Sequence, residues 1–139
     1  MVMSENCVFC KIINNKVDCY KIYDDNDLIV ILDKFPNNVG HSLIIPKKHV
    51  ENIFELDDGL CEKIFKMAKK VACELKKNLK ADGINILQNN NEAANQTVNH
   101  FHMHVIPRFF GDTVEIKWVN NKFSDDDFNL VLEKIKRGF

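Results

Sequence analysis

Two periods organise the hydrophobic and polar positions of this chain. Around position 100 the period is two: His100, His102 and His104 alternate with Phe101, Met103 and Val105. Successive side chains of a β-strand point to opposite faces, so a strand is predicted over 100–106. Its three imidazoles would line one face roughly 7 Å apart, opposite an apolar face. Pro107 is expected to end that strand or confine it to a sheet edge. Over 56–79 the period lengthens to that of a helix. Leu56, Leu60, Ile64, Met67, Val71, Leu75 and Leu79 recur every three or four residues, Ala68 and Ala72 widen the stripe, and Lys63, Lys66, Lys70, Glu74 and Lys77 mark a solvated face.

Shorter elements follow from the same reading. Residues 7–13 form a short helical candidate ended by Asn14-Asn15-Lys16. Residues 20–23 and 28–32 read as a hairpin around the turn 24–27, and 41–45 as a third strand stopped by Pro46. A fourth strand is expected over 84–87, and a polar loop, 89–95, leads into the histidine strand. Residues 114–119 are an extended candidate without an obvious role. Ser124 and three aspartates cap a last helix, whose Phe128, Val131, Leu132 and Ile135 share a face. Consecutive strands with one long crossover helix predict an α+β fold: a mainly antiparallel five-stranded sheet, a long helix and short terminal helices, in one domain over 1–139.

Composition narrows the function classes. With 139 residues and 45% hydrophobic content, the chain is long enough for a substantial core. Its formal net charge of −1, with both signs interspersed, offers no footprint for a nucleic-acid polymer. No apolar run reaches the length of a membrane span, and 1–10 lacks the basic-then-apolar order of a signal peptide. A cytoplasmic protein with no membrane partner is expected. The five cysteines, an odd number, argue against a disulfide framework. Cys61 and Cys73 fall in the long helical pattern and read as small core residues.

Three of the five histidines on one predicted face mark a candidate active-site strand. Two chemistries compete. Histidines at i and i+2 can converge on one tetrahedral metal ion, making a metal-dependent hydrolase. Alternatively, one imidazole is a nucleophile that its neighbours orient. The preceding loop, 89–97, is rich in amide and hydroxyl donors and poor in carboxylates. Such donors suit a phosphate held by neutral hydrogen bonds, which favours the nucleophile.

The pattern His100-Phe-His-Met-His-Val-Ile106 resembles the signature of the histidine triad (HIT) family, His-φ-His-φ-His-φ-φ with φ apolar. Leu32-Asp33, the segment Gly40-His41-Ser-Leu-Ile-Ile-Pro46-Lys-Lys-His49 and Gln96-Thr97 extend the likeness over most of the chain. The resemblance implies a nucleotidyl hydrolase or transferase acting on the α-phosphate of a dinucleoside polyphosphate or a nucleoside phosphoramidate. It implies His102 as nucleophile, forming a covalent nucleotidyl-histidine that water resolves to a nucleoside monophosphate. His104 would assist at the phosphate and Gln96 on the leaving-group side. Thr97 would donate to phosphate oxygens, Asn89 would help fix the substrate, and Asp33 would accept the ribose hydroxyls. Val8, Phe9, Ile12, Ile31 and Leu43 correspond to the family's base pocket.

One branch of the family also binds zinc. By position its ligands would be Cys7, Cys10, His49 and His100, with His41 as runner-up for His49. His100 would then be structural rather than a proton donor. The resemblance further implies a homodimer whose sheets join with the long helix contributing. Asn91 and Asn95 depart from the family pattern, which usually has glycine there; asparagine tolerates positive φ best among the other residues. A nucleotide-binding regulatory protein with incidental catalysis is the remaining reading, since one pocket serves both roles.

Overall fold

A computed structural model describes residues 5–139; residues 1–4, part of the stretch read above for a leader, lie outside it. The strands are β1 (Tyr20–Asp24), β2 (Leu28–Leu32), β3 (Ser42–Pro46), β4 (Gly83–Leu87) and β5 (Met103–Arg108). They form one antiparallel sheet in the order β1-β2-β3-β5-β4. The helices are α1 (Val8–Ile13), α2 (Asp58–Leu79) and α3 (Asp125–Lys136). The expected α+β architecture is the observed one, with α2 carrying the chain from β3 across to the β4 edge.

Burial on both sheet faces explains the sequence of β2, Leu-Ile-Val-Ile-Leu, in which no polar residue interrupts the run. Leu28 and Val30 pack with Ile44, Phe101 and Val105 beneath Leu60, Ile64, Ala68, Val71 and Leu75 of α2. Ile29 and Ile31 point the other way, joining Leu43 and Ile45 beneath Phe9, Cys10 and Ile12 of α1. Six residues are too few for a helix to persist alone in water. Those buried contacts hold α1, each large side chain worth roughly 1.5–3 kcal/mol of burial. The Cys7 sulfur caps the helix by accepting from the Cys10 amide at 3.4 Å.

Gly40 governs the entry into β3. Its φ of +85° favours glycine, and a Cβ there would lie 2.5 Å from Leu79 Cδ1 at the end of α2. The α2 helix begins with Asp57 accepting from the Leu60 amide at 2.9 Å and ends on Lys80 in the left-handed region. The hairpin turn between β1 and β2 is held by Asp25, whose Oδ1 accepts from the amides of Asp27 and Leu28.

Four expectations are corrected. Regular pairing of the histidine strand begins at Met103, so His100 and His102 precede it and the row of three equivalent imidazoles does not form. Pro107 lies inside β5, which is flanked on both sides rather than at an edge. Its carbonyl accepts from Asn38 Nδ2 at 3.0 Å, beyond Ser42↔Val105, the end of the β3 pairing, so the missing N–H interrupts no rung there. Residues 114–119 carry no regular structure. Cys73 is exposed and Cys61 only half-buried, because both sit off the apolar stripe of α2.

The last helix forms as its capping box predicts. Ser124 Oγ accepts from the Asp127 amide, and the Asp127 carboxylate accepts from the Ser124 amide at 3.0 Å. Its apolar face, however, is uncovered, and no residue of α3 is buried.

Candidate active site

Tight packing around the start of β5 separates the three histidines into two environments. His100 is fully buried and donates from Nε2 to the Pro46 carbonyl at 2.8 Å. That bond assigns its proton to Nε2 and leaves Nδ1 as a lone pair. The lone pair faces Cys7 Sγ at 3.4 Å, Cys10 Sγ at 3.6 Å and His49 Nδ1 at 3.0 Å, while Cys10 Sγ is 3.3 Å from His49 Nδ1. A tetrahedral zinc with bonds of about 2.0–2.3 Å sets its ligands roughly 3.3–3.8 Å apart. The two sulfurs and two nitrogens, all within 4.8 Å of one another, match that donor set; these three sulfur–nitrogen distances fall in that range, and the two nitrogens, at 3.0 Å, lie somewhat closer than it. His41 is elsewhere. Burial lowers the His100 pKa to about 4 and raises that of the Cys7 thiol; the first favours the neutral imidazole a metal needs, and the second is a cost a cation would have to overcome.

His102 turns to the other side. Its Nδ1 donates to the His100 carbonyl at 2.8 Å, which leaves Nε2 unprotonated. Burial lowers its pKa from the ordinary histidine value, so the ring is neutral near pH 7. Phe9 meets the ring edge-on at 5.0 Å between centroids and limits its rotation. The result is a fixed, neutral imidazole with one free lone pair, the form required of a nucleophile.

Beside it, His104 is held by a residue that the spacing argument passed over. The Asn37 amide donates to His41 Nδ1 at 3.0 Å, so the proton of a neutral His41 sits on Nε2. His41 Nε2 then donates to His104 Nδ1 at 2.8 Å, and the His104 proton is left on Nε2. His104 is therefore a hydrogen-bond donor next to His102, with ring centroids 4.9 Å apart. Burial, then the neighbouring His102 and His41, bring its pKa down to about 4. The signal in the sequence was His41 just before β3, two residues ahead of Leu43, the register partner of His104, but only the fold makes it a neighbour of His104.

Asp33, His41 and His104 bring donor atoms within 4.8 Å, a second group with metal-binding composition. Its hydrogen bonds oppose that use. A cation on His41 Nε2 would have to evict the proton that the Asn37 amide fixes there. The geometry is that of a proton-ordered chain, and it weighs against a hydrolase using these histidines as ligands.

A cavity of about 490 Å³ opens between α1, the end of β2 and the start of β5. Its walls contain Val8, Phe9, Ile12, Ile31, Asp33, Leu43, Thr97, His102 and His104, bringing most of the predicted site together, with His41 added. The apolar residues lie on the α1 side and the imidazoles at the β5 end. Asp33 Oδ1 accepts from the Phe35 amide at 2.9 Å, and its other oxygen is 3.6 Å from His41 Nε2.

Two predicted residues are not in the cavity wall. Gln96 is buried, and its amide is engaged at both ends: Oε1 accepts from the Asn91 amide at 2.7 Å, and Nε2 donates to the carbonyls of Glu51 and Val98 at 2.6 and 3.0 Å. Asn89 donates to the Asn95 carbonyl at 3.4 Å. Both brace the loop before β5. In that loop Asn91 and Asn95 take φ values of 70° and 65°, the conformations for which glycine is otherwise preferred. Nearby cations are spoken for as well. Arg108 forms a two-pronged pair with Asp112, at 2.9 Å on each prong, and donates to Asn85, while Lys47 pairs with Asp24.

Known proteins resemble this chain in sequence and fold. Residues 14–111 match the family model for the HIT domain. An uncharacterized HIT-like protein of Methanocaldococcus jannaschii is 43% identical over 94% of this chain and 98% of its own. The adenosine 5′-monophosphoramidase of Schizosaccharomyces pombe is 38% identical over 74% of each chain. Among solved structures, a HIT family protein from Bacillus anthracis superposes with a TM-score of 0.90 at 35% identity, covering 99% of both chains. A zinc-bound histidine triad family protein from Mycobacterium smegmatis gives 0.76 at 30% identity over 96% of this chain and 98% of that one. Family model, sequence and fold agree, and the chain belongs to the HIT family.

Proposed function

We propose that this protein is a nucleotidyl hydrolase that attacks the α-phosphate of a dinucleoside polyphosphate or nucleoside phosphoramidate through a covalent intermediate on His102. The observation that carries the reading is the pair of opposite tautomers in one cavity: His102 with Nε2 free and His104 with its proton on Nε2. A phosphoryl group set between them meets a lone pair on one side and a donor on the other. His102 Nε2 forms a bond to phosphorus as the bond to the leaving group breaks. The His102 ring then carries positive charge, which the His100 carbonyl, accepting from Nδ1, stabilises. Water attacks the same phosphorus, releases the nucleoside monophosphate and returns His102 to its neutral form. The monophosphoramidase activity of the S. pombe relative supports phosphoramidates as one substrate class.

Within this reading Thr97 donates to phosphate oxygens, Asp33 accepts from the ribose, and Phe9, Ile12, Ile31 and Leu43 enclose the base. Gln96 and Asn89 act by shaping the loop that presents Thr97. Cys7, Cys10, His49 and His100 would hold a structural zinc, which would cross-link α1 to the segment leading into β5. The protein works as a cytoplasmic homodimer; the described residues include no helix long and apolar enough to cross a membrane.

The test is intact-protein mass spectrometry after mixing with a dinucleoside polyphosphate or an adenosine phosphoramidate. A nucleotidyl mass should appear on the wild type and be absent from His102→Asn. Turnover by that variant at the wild-type rate would overturn the nucleophile. Tight nucleotide retention without turnover by the wild type would instead favour a binding protein.

A further inference from the structure

The apolar side chains of the cavity that holds His102 and His104 cannot tell one base from another. Phe9, Ile12, Ile31 and Leu43 meet a ring by its face, and every base has such a face. Discrimination has to come from polar groups that meet the ring edge. Apart from the histidines, the charged residues of the wall are Asp18, Asp33 and Lys34. Asp33 is already engaged, accepting from the Phe35 amide and lying 3.6 Å from His41. Asp18 and Lys34 are not. Both are exposed, and among the described residues neither side chain makes a hydrogen bond or an ion pair. Lys47 and Arg108, by contrast, are held by Asp24 and Asp112.

Two features of the fold bring this pair to the base end of the cavity. Val17 and Cys19, on either side of Asp18, pack on the cluster that contains Phe9, Ile12, Ile31 and Leu43. In the β1–β2 hairpin Tyr20 pairs with Leu32 and Lys21 with Ile31. Continued past the strand ends, that register sets Asp18 across from Lys34. An acceptor and a donor of opposite charge therefore flank one end of an otherwise apolar wall.

Guanine has the edge that fits such a pair. It offers two adjacent donors, N1–H and the N2 amine, which one carboxylate accepts together, and beside them the O6 acceptor, which an ammonium meets. Adenine sets a single amine between two ring acceptors, N1 and N7. A carboxylate there gains one hydrogen bond and turns its other oxygen toward a lone pair. Hypoxanthine keeps N1–H and O6 but lacks the N2 amine. We infer that Asp18 and Lys34 make this site selective for guanine nucleotides, Asp18 accepting from N1–H and N2–H and Lys34 donating to O6. This selectivity rests on the proposed hydrolase and names the base of its substrate. Because both groups stay open to water, the expected preference is about 10-fold rather than the roughly 10⁴-fold of a buried polar reader.

The experiment compares kcat/KM for guanosine, inosine and adenosine 5′-phosphoramidates on the full chain, with calorimetric affinities for the three corresponding monophosphates. Wild type should favour guanosine over adenosine by about 10-fold in both measurements, with inosine between them. Asp18→Asn should bring the guanosine-to-adenosine ratio close to one, and Lys34→Met should lower it by about threefold. Each ratio is taken within one variant, so a partial loss of fold cannot imitate a loss of selectivity. Equal values for the three bases in the wild type, or an unchanged ratio in Asp18→Asn, would overturn the base selection and leave the hydrolase standing. An equal loss with every base in Lys34→Met would assign the ammonium to phosphate and overturn its part in reading O6. A guanine preference in the affinities without turnover of any phosphoramidate would instead overturn the hydrolase and uphold the base selection.

Discussion

His102 Nδ1 lies 2.8 Å from the carbonyl oxygen of His100. That bond joins the buried Cys–His cluster to the candidate catalytic cavity, because one residue supplies a candidate metal ligand with its side chain and orients the proposed nucleophile with its backbone. In the proposed reaction the three histidines have separate tasks: His100 anchors, His102 reacts, and His104 donates.

Loss of the nucleophile should be nearly complete. His102→Asn is expected to reduce kcat by roughly 10³-fold or more, the scale seen when a covalent nucleophile is removed. Steady-state turnover of a dinucleoside polyphosphate measures it. A fall confined to KM would mean that His102 binds substrate without reacting.

His41 should matter although it is a positioning residue. Replacing it with alanine frees the His104 ring to place its proton on either nitrogen. We expect kcat to fall on the order of 10²-fold, within the range for losing one positioned proton donor, with KM little changed. His41→Asn, which keeps a donor toward His104, should recover part of the loss. Equal rates in the two variants would remove His41 from the proton-ordered chain.

Acid should act on stability with a defined sign. His104 has its folded pKa lowered to about 4, and His41 is also lowered, both by burial, against an ordinary value of 6.5. Between those values the unfolded chain binds more protons than the native one, so stability is full above about pH 6.5 and declines toward pH 4. Urea midpoints across that range should fall with pH. In His104→Gln the slope should be shallower, and an unchanged slope would assign the acid sensitivity to other groups.

The proposed zinc site should be separable from chemistry. Cys10→Ser is expected to lower bound zinc, measured by colorimetric release, and to reduce Tm by about 10 °C, corresponding to a few kcal/mol for a domain of this size. Zinc content equal to wild type in this variant would sink the ligand assignment.

Asn95 tests the loop before β5. Its φ of 65° is one that glycine adopts without strain, and its side chain makes no hydrogen bond among the described residues. Asn95→Gly should stabilise the fold by about 0.5–1 kcal/mol in denaturant titrations. A loss of stability would show that the asparagine side chain holds the loop.

How far the sequence reaches depends on the range of the force involved. Local periodicity located β2, β3, α2 and α3, because alternation and the 3.6-residue stripe depend on residues close along the chain. Periodicity also put Asp33 at a strand end and the three histidines in one segment, although the common face it predicted for them does not form. The family resemblance supplied their expected roles and the four candidate zinc ligands. Tertiary packing decided the rest. His100 departs from the common face because Pro46, Cys7 and Cys10 surround it, partners 54, 93 and 90 residues away. His41 meets His104 only through the β3–β5 register, and Gln96 turns to Glu51 because the loop closes over it. The sequence by itself determined which side chains are available and which elements carry them. Only the folded chain decided which nitrogen of His41, His100, His102 and His104 is protonated, since that depends on an acceptor or donor placed by the fold.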